Sequence, residues 1–272
     1  MKKILLLSNI FLFLAFSLFS LDWPKKGPIV TRSFGVPDIG EFVSSVSITS
    51  RSDEVFAIAE GRIVYKRPGT DVSPSLLIIE HANGLRSVYR GLNILDFEDS
   101  VIEKGQLIGK GLEISLEISD PVSGQFFNPE TLLPKLTDKK APRVVYFGFM
   151  QNDKLYEISN DKKFFSGDAE FLLICEDIRG DKLLSPYSIA FYIDGLRQKE
   201  YVFDSLSYNG KEYLFLWAPS FGSIVKRIDD KSYFSFGKTR LLPGEVKLEI
   251  YIKDINGNQT EAAYSIIVSR PD

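Results

Sequence analysis

The side chains able to do chemistry in this chain are few and widely spaced. There is one histidine, His81, and one cysteine, Cys175. A hydrolytic metal centre needs about three donors from His, Asp, Glu or Cys around one ion, with a further position open to water. Its work is to lower that water's pKa. Glu113, Ser115 and Glu117 alternate with apolar residues. On a strand Glu113 and Glu117 share a face but stand about 13 Å apart, too far to hold one ion together. Asp38, Glu41, Asp53 and Glu54 are a second set of carboxylates. Their chemistry would be that of an oxygen-only calcium or magnesium site, and the plainer reading is a solvated rim. Cys175 ends the run Phe171-Leu172-Leu173-Ile174-Cys175 with no histidine near it in sequence. That setting suits an inert buried thiol, not a thiolate nucleophile. One thiol forms no intramolecular disulfide. No G-x-S-x-G elbow, Walker loop or dinucleotide fingerprint occurs, which removes those nucleophile and phosphate chemistries.

The elements that must position these groups lie between Leu76 and Ile118. Leu76 to Glu80 is an apolar strand rich in branched residues, and Ala82-Asn83-Gly84 is a turn signal in which Gly84 is free to take positive φ. Arg86 to Tyr89 returns as a second strand. Lys104-Gly105 turns again, and Gln106 to Gly109 is a short strand between glycines. Leu112, Ile114, Leu116 and Ile118 then share one face of a strand, with Glu113, Ser115 and Glu117 on the other.

This run resembles the core of the lysostaphin/LytM-type peptidases, zinc enzymes that cut peptidoglycan cross-bridges. The residues that carry the likeness are Ile78-Ile79-Glu80-His81-Ala82-Asn83-Gly84-Leu85-Arg86-Ser87-Val88-Tyr89-Arg90-Gly91-Leu92, then Val101-Ile102-Glu103-Lys104-Gly105-Gln106-Leu107-Ile108-Gly109-Lys110-Gly111, then Glu113-Ile114-Ser115-Leu116-Glu117-Ile118. Upstream, Trp23-Pro24-Lys25-Lys26-Gly27 through Phe34-Gly35 is similar to the family's opening, and Glu60-Gly61-Arg62-Ile63-Val64-Tyr65 is similar to its hairpin, with Gly61 where a tight turn is needed between two apolar strands. Asn128-Pro129 is similar to its close. The likeness spans about residues 23 to 134.

The resemblance implies a zinc held by the His and Asp of an H-x-x-x-D segment and by the second His of H-x-H. Two further histidines would assist, the first of that pair and the one in Y-x-H. Carried over residue by residue, the chemistry is missing. With one deletion before Val55 the H-x-x-x-D positions are Val43 and Ser47; with no gap they are Phe42 and Val46. H-x-H becomes Glu113 and Ser115, and the Y-x-H histidine becomes Gly91. His81 aligns with a scaffold histidine, so a structural role is expected for it, as for Gly84, Gly105, Gly109 and Glu117. No metal and no cofactor is expected, zinc only if the chain is a working enzyme after all. The cleft that remains would be lined by Arg86, Tyr89, Arg90 and Glu113, with exposed strand charge as the plainer reading of the arginines.

The rest of the chain bounds the setting. Met1-Lys2-Lys3 followed by the apolar run Ile4 to Phe19 reads as a signal peptide over residues 1–20, with an uncleaved anchor as the alternative. Export would place the protein in the periplasm or cell envelope, touching membrane only through an uncleaved leader. The net charge of −3 argues against nucleic acid, which favours a basic patch. Residues 21–135 make the peptidase-like domain and 136–142 a polar, proline-ended linker. Residues 143–272 carry six strand-like runs, Val144 to Phe149, Glu170 to Cys175, Ser188 to Ile193, Tyr213 to Trp217, Glu245 to Ile252 and Ala262 to Ser269. With the turn Asp254-Ile255-Asn256-Gly257-Asn258, they predict an immunoglobulin-like β-sandwich. Tyr201, Tyr208, Tyr213 and Tyr233 would be exposed aromatics on it, or pack its strands.

The fold class expected is all-β. The function expected is that of a pseudo-peptidase which binds peptidoglycan or regulates a cell-wall hydrolase. An active zinc metalloendopeptidase and a structural adaptor acting through the C-terminal sandwich stay as alternatives, and the oligomeric state stays open.

Overall fold

The computed structural model describes residues 20–38, 40–160, 162–215 and 218–270. The expected signal peptide thus lies outside the described residues except for Ser20, as do Leu216 and Trp217 of one expected strand. Contacts divide the chain into two compact units, Met1–Thr31 with Ser45–Lys135, and Arg32–Ser44 with Leu136–Asp272. The architecture is all-β.

From the N-terminus the strands are β1 (Ile29–Arg32), β2 (Pro37–Asp38), β3 (Glu41–Phe42), β4 (Val46–Thr49), β5 (Glu54–Phe56), β6 (Gly61–Arg67), β7 (Leu76–Glu80), β8 (Arg86–Arg90), β9 (Asn93–Ile94), β10 (Val101–Ile102), β11 (Leu107–Lys110), β12 (Glu113–Asp120) and β13 (Gln125–Phe127). A one-turn helix, α1 (Pro129–Leu132), follows. Asn128 caps it by accepting from the Glu130 N–H at 3.1 Å, and Pro129 fills the first position, where no N–H is needed.

In the first unit the main sheet runs β10-β6-β7-β8-β12. One edge of β12 is shared: β4 pairs with Glu113–Leu116 and β13 with Ile118–Asp120. The register places Leu77 and Leu116 on either side of Tyr89, and Ile48 opposite Ile114. These side chains are buried and form the inner face. The period of two then sends Ile78, Val88 and Glu117, and likewise Leu76, Arg90, Ser115 and Ser47, to the opposite face. The β7–β8 turn works as its residues suggest. Gly84 has φ +83°, and Asn83 Oδ1 accepts from the Leu85 N–H at 3.1 Å. A smaller sheet, β5-β11-β9, completes the unit.

Leu112 departs from the expected pattern. It is 72% exposed, because β12 begins only at Glu113 and the preceding glycine leaves Leu112 outside the ladder. Gly61 departs in its reason. It opens β6 at an ordinary φ, but a Cβ there would meet Glu80 O at 2.5 Å and Ile79 Cγ2 at 2.7 Å. Close strand approach, not a turn, demands glycine.

The second unit adds β14 (Arg143–Gln151), β15 (Lys154–Glu157), β16 (Lys163–Phe165), β17 (Gly167–Arg179), β18 (Lys182–Leu184), β19 (Ser188–Ile193), β20 (Leu196–Val202), β21 (Ser205–Tyr208), β22 (Tyr213–Phe215), β23 (Val225–Ile228), β24 (Lys231–Leu241), β25 (Gly244–Lys253) and β26 (Gln259–Ser269). One sheet runs β15-β14-β17-β24-β23, with β18 on β17, and the other β16-β26-β25-β19-β20. Their facing sides meet through rings. Phe191 of β19 lies 4.8 Å from both Phe171 of β17 and Phe236 of β24, and Tyr201 of β20 stacks 5.7 Å from Phe236.

One choice between two readings is decided here, and one expectation changes. Tyr201 and Tyr233 are buried core residues, while Tyr208 is exposed beside Tyr213. Arg32–Ser44, placed by sequence in the first domain, belongs to the second unit. Its anchor is Phe42, fully buried with its ring 4.7 Å from Phe215 and 4.9 Å from Phe221. The polar linker is also held: Asn258 Nδ2 donates to Asp138 O at 3.2 Å, and Thr260 Oγ1 donates to Pro142 O.

Candidate functional site

The outer face of the first unit's sheet gathers most of the expected site residues. Ser47 stands opposite Ser115 across β4 and β12, and Ser115 stands opposite Arg90 across β12 and β8. Ser115 Oγ donates to, or accepts from, Ser45 Oγ at 2.8 Å. Arg90 Nη1 lies 3.6 Å from Glu117 Oε2, and that carboxylate is only 5% exposed. Glu113, one step along, accepts from Thr31 Oγ1 at 2.6 Å. Two hydroxyls, an ion pair and a hydrogen-bonded carboxylate therefore occupy one patch.

That donor set does not fit zinc. Serine hydroxyls are neutral, and zinc sites are built from imidazole, thiolate and carboxylate. A guanidinium beside the patch opposes a divalent cation by Coulomb repulsion. Gly91 offers no side-chain donor and is fixed at φ +83°, where a Cβ residue is strained. Val43 lies in the second unit, its N–H donating to Val36 O at 3.0 Å.

His81 is a structural residue by its contacts. It is 5% exposed, with Nδ1 2.7 Å from Glu60 O and Nε2 2.8 Å from Ser87 Oγ. A carbonyl can only accept, so Nδ1 carries the proton and Nε2 accepts from the serine. Both ring nitrogens are occupied and none is left for a metal. Desolvation lowers its pKa below the usual 6.5, against a smaller upward pull from the Glu60 carbonyl. Gly105 turns at φ +74°. Gly109 is required by close approach, since a Cβ would meet Asn93 O at 2.6 Å.

One of the expected lining residues needs correction. Tyr89 does not line a cleft. It is fully buried, its Oη accepts from the Ile58 N–H at 3.0 Å, and burial pushes its pKa up to about 12. The alternation along β8 that turns Arg90 outward necessarily turns Tyr89 inward. Arg86 does face outward but is committed to Glu80, with bonds of 2.8 and 2.6 Å. The flanking carboxylates likewise have partners. Asp38 pairs with Arg32 at 2.5 Å, Asp53 lies 3.9 Å from Lys110, and Glu54 accepts from Ser52 Oγ at 3.3 Å. Cys175 is half-buried on β17, and desolvation raises its thiol pKa.

Sequence reasoning missed Lys25. Its side chain is buried, with Nζ donating to Gly111 O at 2.6 Å and Ser52 O at 3.0 Å, which ties the chain entering β12 to the loop before β5. Nothing in Lys25-Lys26 marks which lysine turns inward. It also missed a charged node in the second unit. Asp138, Asp177 and Asp254 bring carboxylate oxygens within 4.8 Å of one another, the one such acidic grouping among the described residues. Arg179 answers it, Nε 3.6 Å from Asp138 and Nη2 3.8 Å from Asp177. Buried carboxylates around a guanidinium, with Asn258 bonded to Asp254, read as a clamp between linker and last hairpin.

Comparison with known proteins adds a frame. A family model that carries no functional description matches residues 142–269. No curated protein matches the chain. Among solved structures, the chain is similar to one in the SpoIIQ–SpoIIIAH pore forming complex, at 19% identity over 43% of this chain and 93% of that one, with a TM-score of 0.38. It is similar to the M23 metalloprotease pseudoalterin from the deep sea, at 16% identity over 51% and 95%, with a TM-score of 0.32. It is similar to the antimicrobial peptidase lysostaphin from Staphylococcus simulans, at 11% identity over 89% and 91%, with a TM-score of 0.33. Among the described residues no helix is long and apolar enough to cross a membrane.

Proposed function

We propose that the chain is an exported pseudo-peptidase of the cell envelope which grips peptidoglycan without cutting it. The observation that carries this reading is the row Ser47, Ser115 and Arg90 across three adjacent strands. Ser47 and Ser115 stand at two of the positions where the resemblance to LytM-type peptidases calls for metal ligands, with Arg90 beside them, and the row offers hydroxyl and guanidinium groups that can hydrogen-bond a peptide but do not suit zinc. Stem peptides present carboxylates and amides, which suit Arg90 and the serine hydroxyls. The second unit, with its two facing sheets, is read as an immunoglobulin-like domain, and residues 1–20 as the leader that exports both.

The test is sedimentation of the purified protein with purified peptidoglycan, with released peptides and bound zinc measured alongside. Co-sedimentation without released peptide or stoichiometric zinc is the expected result. Turnover with zinc would replace this reading by the active endopeptidase. Failure to sediment would leave a cell-wall hydrolase, or another envelope protein, as the partner to seek.

A further inference from the structure

A second polar surface lies on the other unit, on the outward side of β19, β20 and β25. It is a groove of about 460 Å³, within the size range of small-ligand sites. The register explains its shape. Ala190 sits between Glu200 on β20 and Tyr251 on β25, and Ser188 sits opposite Lys253. Two short side chains form the floor, and longer ones on each side form the walls. Tyr192 stands next along β19 on the same face, its ring 5.3 Å from Tyr251 and nearly perpendicular to it.

The walls are held in place before any ligand arrives. Tyr251 Oη donates to Glu261 Oε1 at 3.1 Å, Glu249 accepts from Lys247 Nζ at 2.7 Å, and Glu200 pairs with Arg197 at 2.5 Å. Pre-ordered groups lose little entropy on binding. Glu249 is 7% exposed although it belongs to the outward face, because Tyr192 stands directly opposite it in the β19–β25 register. A pair of tyrosines on the outward face of a sheet is in itself an ordinary cross-strand contact. What exceeds that here is the depression over Ala190, between Glu200 and Tyr251, which a medium-sized residue at position 190 would fill.

We propose that this groove binds a neutral glycan of N-acetylated hexosamines. The inference rests on the wall-binding reading for its choice of sugar. A pyranose presents an apolar C–H face, which fits a tyrosine ring, and a rim of hydroxyl and acetamido groups, which fits Glu200, Lys253 and Gln259. The lining carries two carboxylates, Glu200 and Glu249, against one ammonium, Lys253. Arg197 and Lys247 pair with those carboxylates, so the surface is close to neutral as a whole and suits an uncharged saccharide.

The experiment uses the full exported chain and titrates it calorimetrically with chitotetraose, a β-1,4-linked N-acetylglucosamine tetramer, and separately with a free stem pentapeptide. Two variants test the site, Tyr192→Ala, which removes a stacking ring, and Ala190→Arg, which fills the floor and leaves both rings. Thermal melts establish that each folds. Chitotetraose binding that weakens at least about tenfold in both variants is the expected result, an effect on the scale of one lost anchor contact. No saturable binding to wild type, equal binding in Ala190→Arg, or tighter groove binding of the pentapeptide overturns the proposal. Sedimentation with whole peptidoglycan separates the two readings. If Ala190→Arg sediments normally and chitotetraose fails to bind, the groove proposal falls and wall binding stands. If chitotetraose binds and peptidoglycan does not sediment the protein, the wall-binding reading falls and the groove stands.

Discussion

Ser47 lies directly opposite Ser115 in the β4–β12 ladder, and Ser115 has Arg90 as its neighbour on the other side. On the proposed pseudo-peptidase reading, the pairing means that more than one metal-ligand position is altered. The two strands to which the resemblance assigns metal ligands here present neutral hydroxyls, and the strand beside them presents a cation. Ser115 shares one hydrogen bond with Ser45 and Arg90 leans toward the buried Glu117, which orders both groups and leaves each further hydrogen-bonding capacity. The patch has its own set of partners.

It follows that restoring two ligands will not restore a metal. The double variant Ser47→Asp with Ser115→His supplies a carboxylate and an imidazole but leaves Arg90 beside them and Val43 at the third ligand position the resemblance assigns. Elemental analysis after dialysis against zinc is expected to find well under one equivalent retained. Stoichiometric zinc would mean that the cleft has kept its metal geometry and that only side chains were lost.

Gly91 should resist reversion more strongly. Its φ of +83° lies in the left-handed region, and a Cβ there would sit 3.3 Å from Glu113 O. Gly91→His is expected to cost about 1–2 kcal/mol from backbone strain alone. Urea unfolding at neutral pH measures it, and a variant as stable as wild type would show that the loop relaxes without penalty.

His81 gives the fold a pH dependence with a definite sign. Its folded pKa is depressed below the ordinary 6.5 by desolvation, so the unfolded chain takes up a proton at a pH where the folded one does not. Stability from this group is present in full above 6.5 and is lost as pH falls below that value, levelling only once the folded pKa is passed. Melting temperatures of wild type and His81→Gln, compared from pH 7.5 down to 5, are expected to converge toward acid, with the variant less stable at pH 7.5 by about 1–3 kcal/mol for its broken buried hydrogen bonds. A constant gap across that range would refute the linkage.

Much of this was legible in the residues, and the exceptions have physical causes. The alternation of Ile114, Ser115, Leu116 and Glu117 placed β12 correctly because one of its faces is core. It could not reveal that Glu117 is buried beside Arg90, since a period of two reports which face a side chain takes and not what covers it. Tyr89 was misjudged on the same ground: a polar tip suggests a cleft, yet β8 turns that residue to the inner face with its hydroxyl bonded to backbone. The longest omission was β24. Its buried residues Tyr233, Phe234, Ser235 and Phe236 are consecutive, and Gly237 follows at φ +82° within the strand. Bulges erase the alternation by which a strand is recognised. β20 escaped because an edge strand exposed along most of its length has no apolar face to show.

Gly61 tests whether close approach, not turn geometry, demands a glycine. Gly61→Ala keeps an allowed φ yet drives a methyl group to 2.5 Å from the Glu80 carbonyl and 2.9 Å from His81 Nδ1. The neighbours are strand backbone and a ring held by two hydrogen bonds, so relief requires β6 and β7 to part. A loss of about 1–3 kcal/mol is expected, with the His81 imidazole NMR signals shifted. Unchanged imidazole signals would place the strain elsewhere.

The segment from Arg32 to Ser44 decides where the second unit can be cut. Phe42 is fully buried, packed edge-on against Phe215 at 4.7 Å and tilted against Phe221 at 4.9 Å. Gly35 lies so close that a Cβ on it would touch Phe215 at 3.0 Å. Ser33 Oγ accepts from the Ser185 N–H at 3.2 Å. A fragment of residues 143–272 therefore lacks a piece of its own core, and it is expected to melt well below the full chain and to expose apolar surface to dye. Phe42→Ala in the full chain removes the same ring without cutting anything, and should cost about 3–5 kcal/mol. If the fragment melts cooperatively at the temperature of the intact second unit, or if Phe42→Ala costs less than about 1 kcal/mol, the ring is dispensable and the unit can be cut at residue 143 as the sequence suggests.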